Sequence, residues 1–270
     1  MKAVFSDIKI IAGAFIVAFL FIFMLIGLFY LPYDPNGVDI AKKLSFFSAK
    51  HILGTDGLGR DVACRISVSL RISFFIGFTA SGAGLVLGTA IGAAGGFFGG
   101  KADAVTGKFI DLLMAFPGIL LALMLVAVLG NGLCNTVLAL SIMNLPRFAR
   151  ISRSGFIKYR DSALVFAERA RGASPFRIIF MHILPNIYAE LLITYSLSFA
   201  VSIMNEAGLS YLGLGVEPPY ASFGKMLSDA QNFIFSAPWL IIVPAVFLVL
   251  LVTGFTLISD GITSVREAHR

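Results

Sequence analysis

Apolar residues along this 270-residue chain fall in long runs rather than in alternation. A helix crossing the hydrocarbon core of a bilayer takes about 20 consecutive apolar residues, so charge-free runs mark candidate spans. The first run, 10–31, follows Lys2 and Lys9. It is too long for a secretory h-region and lacks an obvious small-residue cleavage site, so it predicts a retained span. The second, 72–100, predicts a span at about 72–97. The run 112–146 carries no charge over 35 residues, too long for one ordinary span. Gly130-Asn131-Gly132 is a turn signal in its middle, dividing it into spans at about 110–129 and 133–149. A fifth span is expected at about 186–205 and a sixth at about 238–259. Between them lie a tail (1–9), a loop (32–71), a polar segment (150–185), a second loop (206–237) and a tail (260–270).

Six spans place both termini on one side. With that side inside, 14 Lys and Arg lie inside and seven outside, and eight of the inner ones fall within 147–177. Cytoplasmic loops carry such an excess, so both termini are expected in the cytoplasm.

Composition agrees with a membrane class. Hydrophobic residues make up 58% and charged ones 13%, against about 45–50% and about 25% in soluble domains. Mean hydropathy is +0.90. These values exclude a soluble enzyme and a disordered regulator. The net charge of +6 is modest, and no nucleic-acid partner is expected. Cys64 and Cys134 form no CxxC, and both fall outside in this topology; a disulfide between them is not expected. The histidines at 51, 182 and 269 are scattered, so no metal site is expected. Asp111, Glu190, Glu206 and Asp260 fall near span ends, leaving no charge at mid-span. Ion-coupled transporters usually keep one at depth. A phosphate-cradling GxxxxGK[ST] is absent, since Gly99-Gly100-Lys101 is followed by Ala102. The chain is therefore expected to be non-catalytic, with no cofactor of its own; uphill transport would take its energy from another subunit.

Glycines 84, 88, 92, 96 and 100 recur every four residues in the second span. That spacing stacks them on one face and permits close helix approach. Gly84, Gly88, Gly92 and Gly96 are expected to serve ordinary tight packing, with a sliding or pathway-lining surface as the sharper reading.

The segment 147–190 is the most informative. Arg147, Arg150 and Arg153 share a helix face at the headgroups. Asp161 or Ser162 predicts an N-cap for a helix at about 163–171. Gly172 predicts its left-handed stop. Ser174 caps a second helix with Pro175 at its first position. Phe176, Ile179, Phe180 and Ile183 predict one apolar face. A short helix, a bend and an amphipathic helix would thus lie inside the cell. Such a knob suits insertion into a cleft of a cytoplasmic partner; the plainer reading is a basic loop on anionic lipid.

This stretch resembles the coupling loop of bacterial ABC importer permeases, whose pattern reads EAA, three residues, Gly, nine residues, I-x-LP. With Gly172 as anchor, the Glu position holds Phe166, the alanines fall on Ala167 and Glu168, the Ile on His182, and Leu184-Pro185 close the match. Gly172-Ala173-Ser174 and His182 to Asn186 are similar to the dipeptide, oligopeptide and nickel subfamily. So are His51 to Asp61, similar to HxLGTDxxGRD, and Leu209 to Val216, similar to SFLGLGV. Pro218-Pro219, Gly224 to Leu227 and Ala237-Pro238-Trp239 follow in the same order, and Asp260-Gly261 loosely matches the ending. Within the subfamily the chain looks most like the second, C-type permease.

The resemblance implies an all-α membrane subunit with six spans and a coupling helix pair between spans four and five. It implies a bacterial inner-membrane importer for peptides, with nickel or a metal chelate as alternative. It further implies a homologous permease forming a heterodimer, two ABC ATPase subunits that bind ATP and Mg, and an extracytoplasmic solute-binding protein. Contact with the ATPase is expected from Ala163, Leu164, Phe166, Ala167, Glu168, Arg169, Ala170, Gly172, Ala173 and Ser174. The outer motif residues Gly54, Thr55, Asp56, Gly59, Arg60 and Asp61 are expected to form a local ion-pair and turn network, or to meet the solute-binding protein or the entrance. His182 is expected as a helix-end polar residue, and Trp239 and Tyr30 as interfacial aromatics. The rivals are a stand-alone passive channel and a membrane scaffold.

Overall fold

The computed structural model describes residues 7–268, with side chains through Val265. Lys2 of the first tail and His269 and Arg270 of the last lie outside the described residues. Ten α-helices and short 3₁₀ and π segments account for the regular structure there, with one isolated bridge between Thr55 and Asp61. Among the described residues four helices are long and apolar enough to cross a membrane, or five if one bent pair counts as a span.

The first helix, α1 (Ile8–Phe29), starts where Asp7 accepts a hydrogen bond from the Lys9 N–H. It lies along α10 (Trp239–Ala268). Small residues set their separation: a Cβ on Gly13 would stand 2.6 Å from the Gly254 carbonyl oxygen. Most of the remaining surface of α1 is exposed and apolar, including Phe15, Phe19, Ile22 and Phe29. α10 runs to Ala268, so much of the segment expected as a tail from 260 is helical.

The long helix α2 (Val62–Phe98) is capped by Asp61, whose carboxylate accepts from the Cys64 N–H. It begins ten residues before the charge-free run, because that cap and the buried Cys64, Ile66 and Leu70 favour helix ahead of it. The next run departs from one straight span over 110–129. It forms α3 (Gly100–Met114) and α4 (Gly118–Leu129), bent by 85°. Pro117 is the cause: it offers no N–H, and a proline disfavours helical backbone in the residue before it. α5 (Leu133–Arg160) passes the expected end at 149 and contains Pro146. Acids on α3 receive its arginines: Arg150 lies 3.2 Å from Asp111, and Arg153 2.6 Å from Asp103.

Two short helices follow, α6 (Ala163–Ala170) and α7 (Pro175–Arg177). A π segment, Ile178–Ile183, leads from α7 into α8 (Leu184–Tyr211). α9 (Phe223–Ala230) lies outside the long helices and is capped by Ser222. Four hydrophobic clusters bind the described elements: a small one of Ile110, Leu145 and Ala149 joining α3 to α5, and three larger ones. At one end, Leu70, Phe74, Phe199, Ile203, Phe223 and Phe255 join α2, α8, α9 and α10, with Phe199 and Phe255 stacked at 3.7 Å. A second joins α2, α4, α5 and α8 through Ile76, Val126, Leu140 and Leu209. The third, at the opposite end, gathers Phe97, Phe156, Val165, Ile178, Ile183 and Ile187. It fixes α6 and the π segment after α7 against α2, α5 and α8.

Candidate functional site

The elbow between α6 and α7 is built by local signals. Ser162 accepts from the Val165 N–H and Ser174 from the Arg177 N–H, each at 3.4 Å. Between them the chain closes a Schellman turn. The Ala173 N–H donates to the Glu168 carbonyl and the Gly172 N–H to that of Arg169, both at 3.0 Å. Gly172 takes φ +79, the left-handed conformation that this turn requires.

Glu168 ties the two arms together. One carboxylate oxygen accepts from Arg171 at 3.2 Å, and the other lies 3.6 Å from His182 Nε2. Behind the elbow, Val165 is buried in the third cluster and the Arg169 guanidinium sits over the Phe97 ring at 5.7 Å. In front, Ala163, Leu164, Phe166, Ala167, Ala170 and Ser174 are exposed, Ala173 half-buried. Phe166 is 58% and Phe176 75% exposed. Large apolar side chains grouped on a rigid projecting turn mark a contact surface.

The face expected from Phe176, Ile179, Phe180 and Ile183 packs only in part, through the buried Ile183 and the half-buried Ile179. Ile178, Ile183 and Ile187 are buried, while Phe176 and Phe180 are exposed. The π segment explains the change: residues five apart align where α-helical spacing would align three and four.

At the other end, the motif Gly54 to Asp61 forms one network. Gly54 and Gly59 have φ near +75, and a Cβ on Gly59 would meet the Asp39 carbonyl oxygen at 1.8 Å. The Thr55 hydroxyl donates to the Lys42 carbonyl and accepts from the Ser45 N–H. Asp56 accepts from the Leu58 and Arg60 N–H groups and, at 2.7 Å, from Arg60 Nε. Arg60 reaches Asp229 of α9 at 3.6 Å. Asp61 is buried, capping α2 with one oxygen and holding His51 Nδ1 at 2.9 Å with the other.

Asp61→Ala removes a cap, worth about 0.5–2 kcal/mol, and strands a buried histidine nitrogen, which costs about 1–3 kcal/mol. We expect a loss of roughly 2–4 kcal/mol by thermal unfolding of the full chain in detergent, with Asp61→Asn retaining most of it. An unchanged unfolding temperature for Asp61→Ala would refute this role.

The glycine row faces α5. Cβ atoms on Gly84, Gly88, Gly92 and Gly96 would lie 2.3–2.8 Å from Asn144 or from the carbonyls of Leu145, Ala149 and Arg153. Gly100, outside α2, would meet nothing within 4 Å.

Glu206 lies in the last turns of α8, five residues before its end at Tyr211, and is fully buried. It accepts the Ser210 hydroxyl at 2.7 Å, and Ser210 in turn accepts the Val216 N–H. Thr194, Ser198, Ser202, Glu206 and Ser210 form a buried polar ladder. Asn144 of α5 donates to Ser202 at 2.8 Å, and Ser81 of α2 lies 3.4 Å from the same hydroxyl. The signal was present in the sequence as polar residues recurring every four positions, masked by the apolar residues between them. Cys64 is buried and Cys134 exposed, and both are free.

Among known proteins, residues 84–265 match the model of the family described as "Binding-protein-dependent transport system inner membrane component". The chain is 39% identical to the dipeptide transport system permease protein of Alkalihalophilus pseudofirmus over 94% of its own length and 82% of that relative. It is 36% identical to the glutathione transport system permease protein of Pectobacterium atrosepticum, covering 92% and 84%. It is 34% identical to the nickel transport system permease protein of Escherichia coli K12, covering 94% and 92%. Among solved structures it is similar in fold to the inward-facing MetNI methionine ABC transporter, with a TM-score of 0.60, 19% identity and coverage of 75% and 95%.

Proposed function

The chain belongs to the binding-protein-dependent inner-membrane transport component family, and from that membership we propose that it is a permease subunit of an ATP-driven importer of peptides. The elbow at 163–174 carries this reading. It presents exposed Leu164 and Phe166, with Phe176 just beyond it, on a turn anchored by Val165 and Glu168, a shape suited to a cleft in a cytoplasmic ATPase. The partners would be a second, homologous permease, two ATPase subunits holding ATP and Mg, and an extracytoplasmic solute-binding protein. The chain would carry out no chemistry of its own.

In this reading α5 is the fourth of six spans, its polar side chains sheltered between α2 and α8, and both termini face the cytoplasm. ATP binding closes the ATPase pair, the elbow moves with it, and the spans alternate access. A ligand shifts such an equilibrium only through contacts that differ between the two states; the elbow in the ATPase cleft supplies that difference. Peptide as solute is favoured by the dipeptide and glutathione relatives. A nickel or metal-chelate solute, favoured by the relative in Escherichia coli, is the second reading.

Gentle solubilisation with a C-terminal tag tests the assignment. Recovery of a second permease and Walker-motif ATPases is expected; a chain recovered alone, under conditions that preserve other membrane complexes, would refute it. The topology has its own check. Cys134 is exposed at the start of α5, whereas Cys64 is buried. A membrane-impermeant maleimide applied from the outside is expected to label wild-type protein but not Cys134→Ser. Labelling only from the cytoplasmic side would invert the topology.

A further inference from the structure

The turn 56–60, the start of α2, α9 with residues 232–233 after it, and Leu240 at the start of α10 line a cavity of about 250 Å³. Asp56, Arg60, Arg65 and Asp229 form its polar wall, and Met226 and Phe233 part of its apolar one. The charges in this wall are unequally satisfied. Asp56 is committed to two backbone N–H groups and to Arg60 Nε at 2.7 Å. Arg65 is 3% exposed, yet its nearest carboxylate oxygen, on that same Asp56, is 3.6 Å away. Its one hydrogen bond runs from Nη1 to the Pro35 carbonyl at 3.3 Å. Asp229 is likewise shared, between Lys225 at 2.9 Å and Arg60 at 3.6 Å. Three cations therefore face two carboxylates, and Lys43 stands nearby over the Phe233 ring at 5.4 Å.

A buried guanidinium whose nearest carboxylate, Asp56, is already committed to other donors is incompletely compensated, and its planar fork matches a second carboxylate at two points. We propose that this cavity binds the carboxylate of a small solute, with Arg65 and Arg60 taking the anion and the Met226–Phe233 wall taking the aliphatic part. Its volume suits a molecule of dipeptide size rather than a protein side chain and its backbone. The choice of a peptide carboxylate rests on the peptide-import reading. Binding itself is read without ATP, a partner or flux, so failure of that reading leaves the measurement intact.

The test is equilibrium binding to the full chain in nanodiscs at low ionic strength, with Ala-Ala, its C-terminal amide and acetate as probes. Ala-Ala is expected to bind and raise the unfolding temperature, acetate to compete with it, and the amide to bind at least about tenfold more weakly. Arg65→Gln should weaken Ala-Ala binding by at least about tenfold. Asp229→Asn, at a half-exposed position, frees Arg60 and Lys225 from an internal competitor and should tighten binding by roughly three- to tenfold. A residue serving only structure would not produce that gain. Equal binding of Ala-Ala and its amide, no binding of either, or an Asp229→Asn variant that binds no tighter would overturn the proposal.

Discussion

Gly172→Val is expected to cut ATP-driven solute uptake by more than about tenfold while ATP hydrolysis by the assembled complex continues. Gly172 sits at φ +79, where a β-branched residue is an outlier. A non-glycine residue held there costs about 1–3 kcal/mol, which lowers the population of the formed elbow by roughly five- to 150-fold. No atom lies within 4 Å of a Cβ at this position, so the effect comes from the backbone and not from a clash. Gly172→Asn separates the two causes, because asparagine tolerates the left-handed cap; it should retain most uptake. The expected valine phenotype is an intact but uncoupled complex, since Val165, Ile178 and Ile183 still anchor both arms in the third cluster. Uptake and hydrolysis measured side by side check this, and unchanged coupled uptake in a properly assembled Gly172→Val complex would count against it.

Gly92→Val is expected to abolish recovery of monodisperse protein, a failure of folding rather than of coupling. A Cβ at Gly92 would meet the Ala149 carbonyl oxygen at 2.3 Å and the Arg153 nitrogen at 2.7 Å. Both are backbone atoms of α5, so no rotamer change relieves the contact. The helices would have to separate. That would break the bonds from Ser152 to the Thr89 carbonyl at 2.9 Å and from Arg160 to the Gly96 carbonyl at 3.1 Å. Overpacking of this kind costs about 1–3 kcal/mol, occasionally more, before those bonds are counted. Gly82→Val on the same helix has open space within 4 Å and should express as wild type. Size-exclusion profiles of the two variants make the comparison; similar profiles would show that the α2–α5 contact tolerates separation.

These two positions illustrate what a sequence makes legible. Gly172, Ser162 and Ser174 act within a few residues of themselves, so their chemistry is local and the turn follows from it. The glycine row is legible because its spacing of four matches the helix repeat. Pro117 was equally visible, but long charge-free runs dominate the count of spans and hid the break it imposes. The continuation of α5 to Arg160 could not be read locally, because Asp103 and Asp111 that receive its arginines belong to another helix. The π segment has no distinctive residue pattern, so the burial of Ile178 and the exposure of Phe176 and Phe180 were not legible. The burial of Glu206 is not local either: it accepts the Ser210 hydroxyl, which in turn accepts the Val216 N–H of the following loop.

Uptake of a labelled dipeptide into proteoliposomes tests the central claim most directly. The complex co-purified with this chain would be reconstituted with its solute-binding protein outside and ATP trapped within. The account predicts accumulation above the external concentration that requires both the binding protein and hydrolysable ATP. Flux that only equilibrates the solute and proceeds equally without ATP would contradict it, and would make the chain a passive channel.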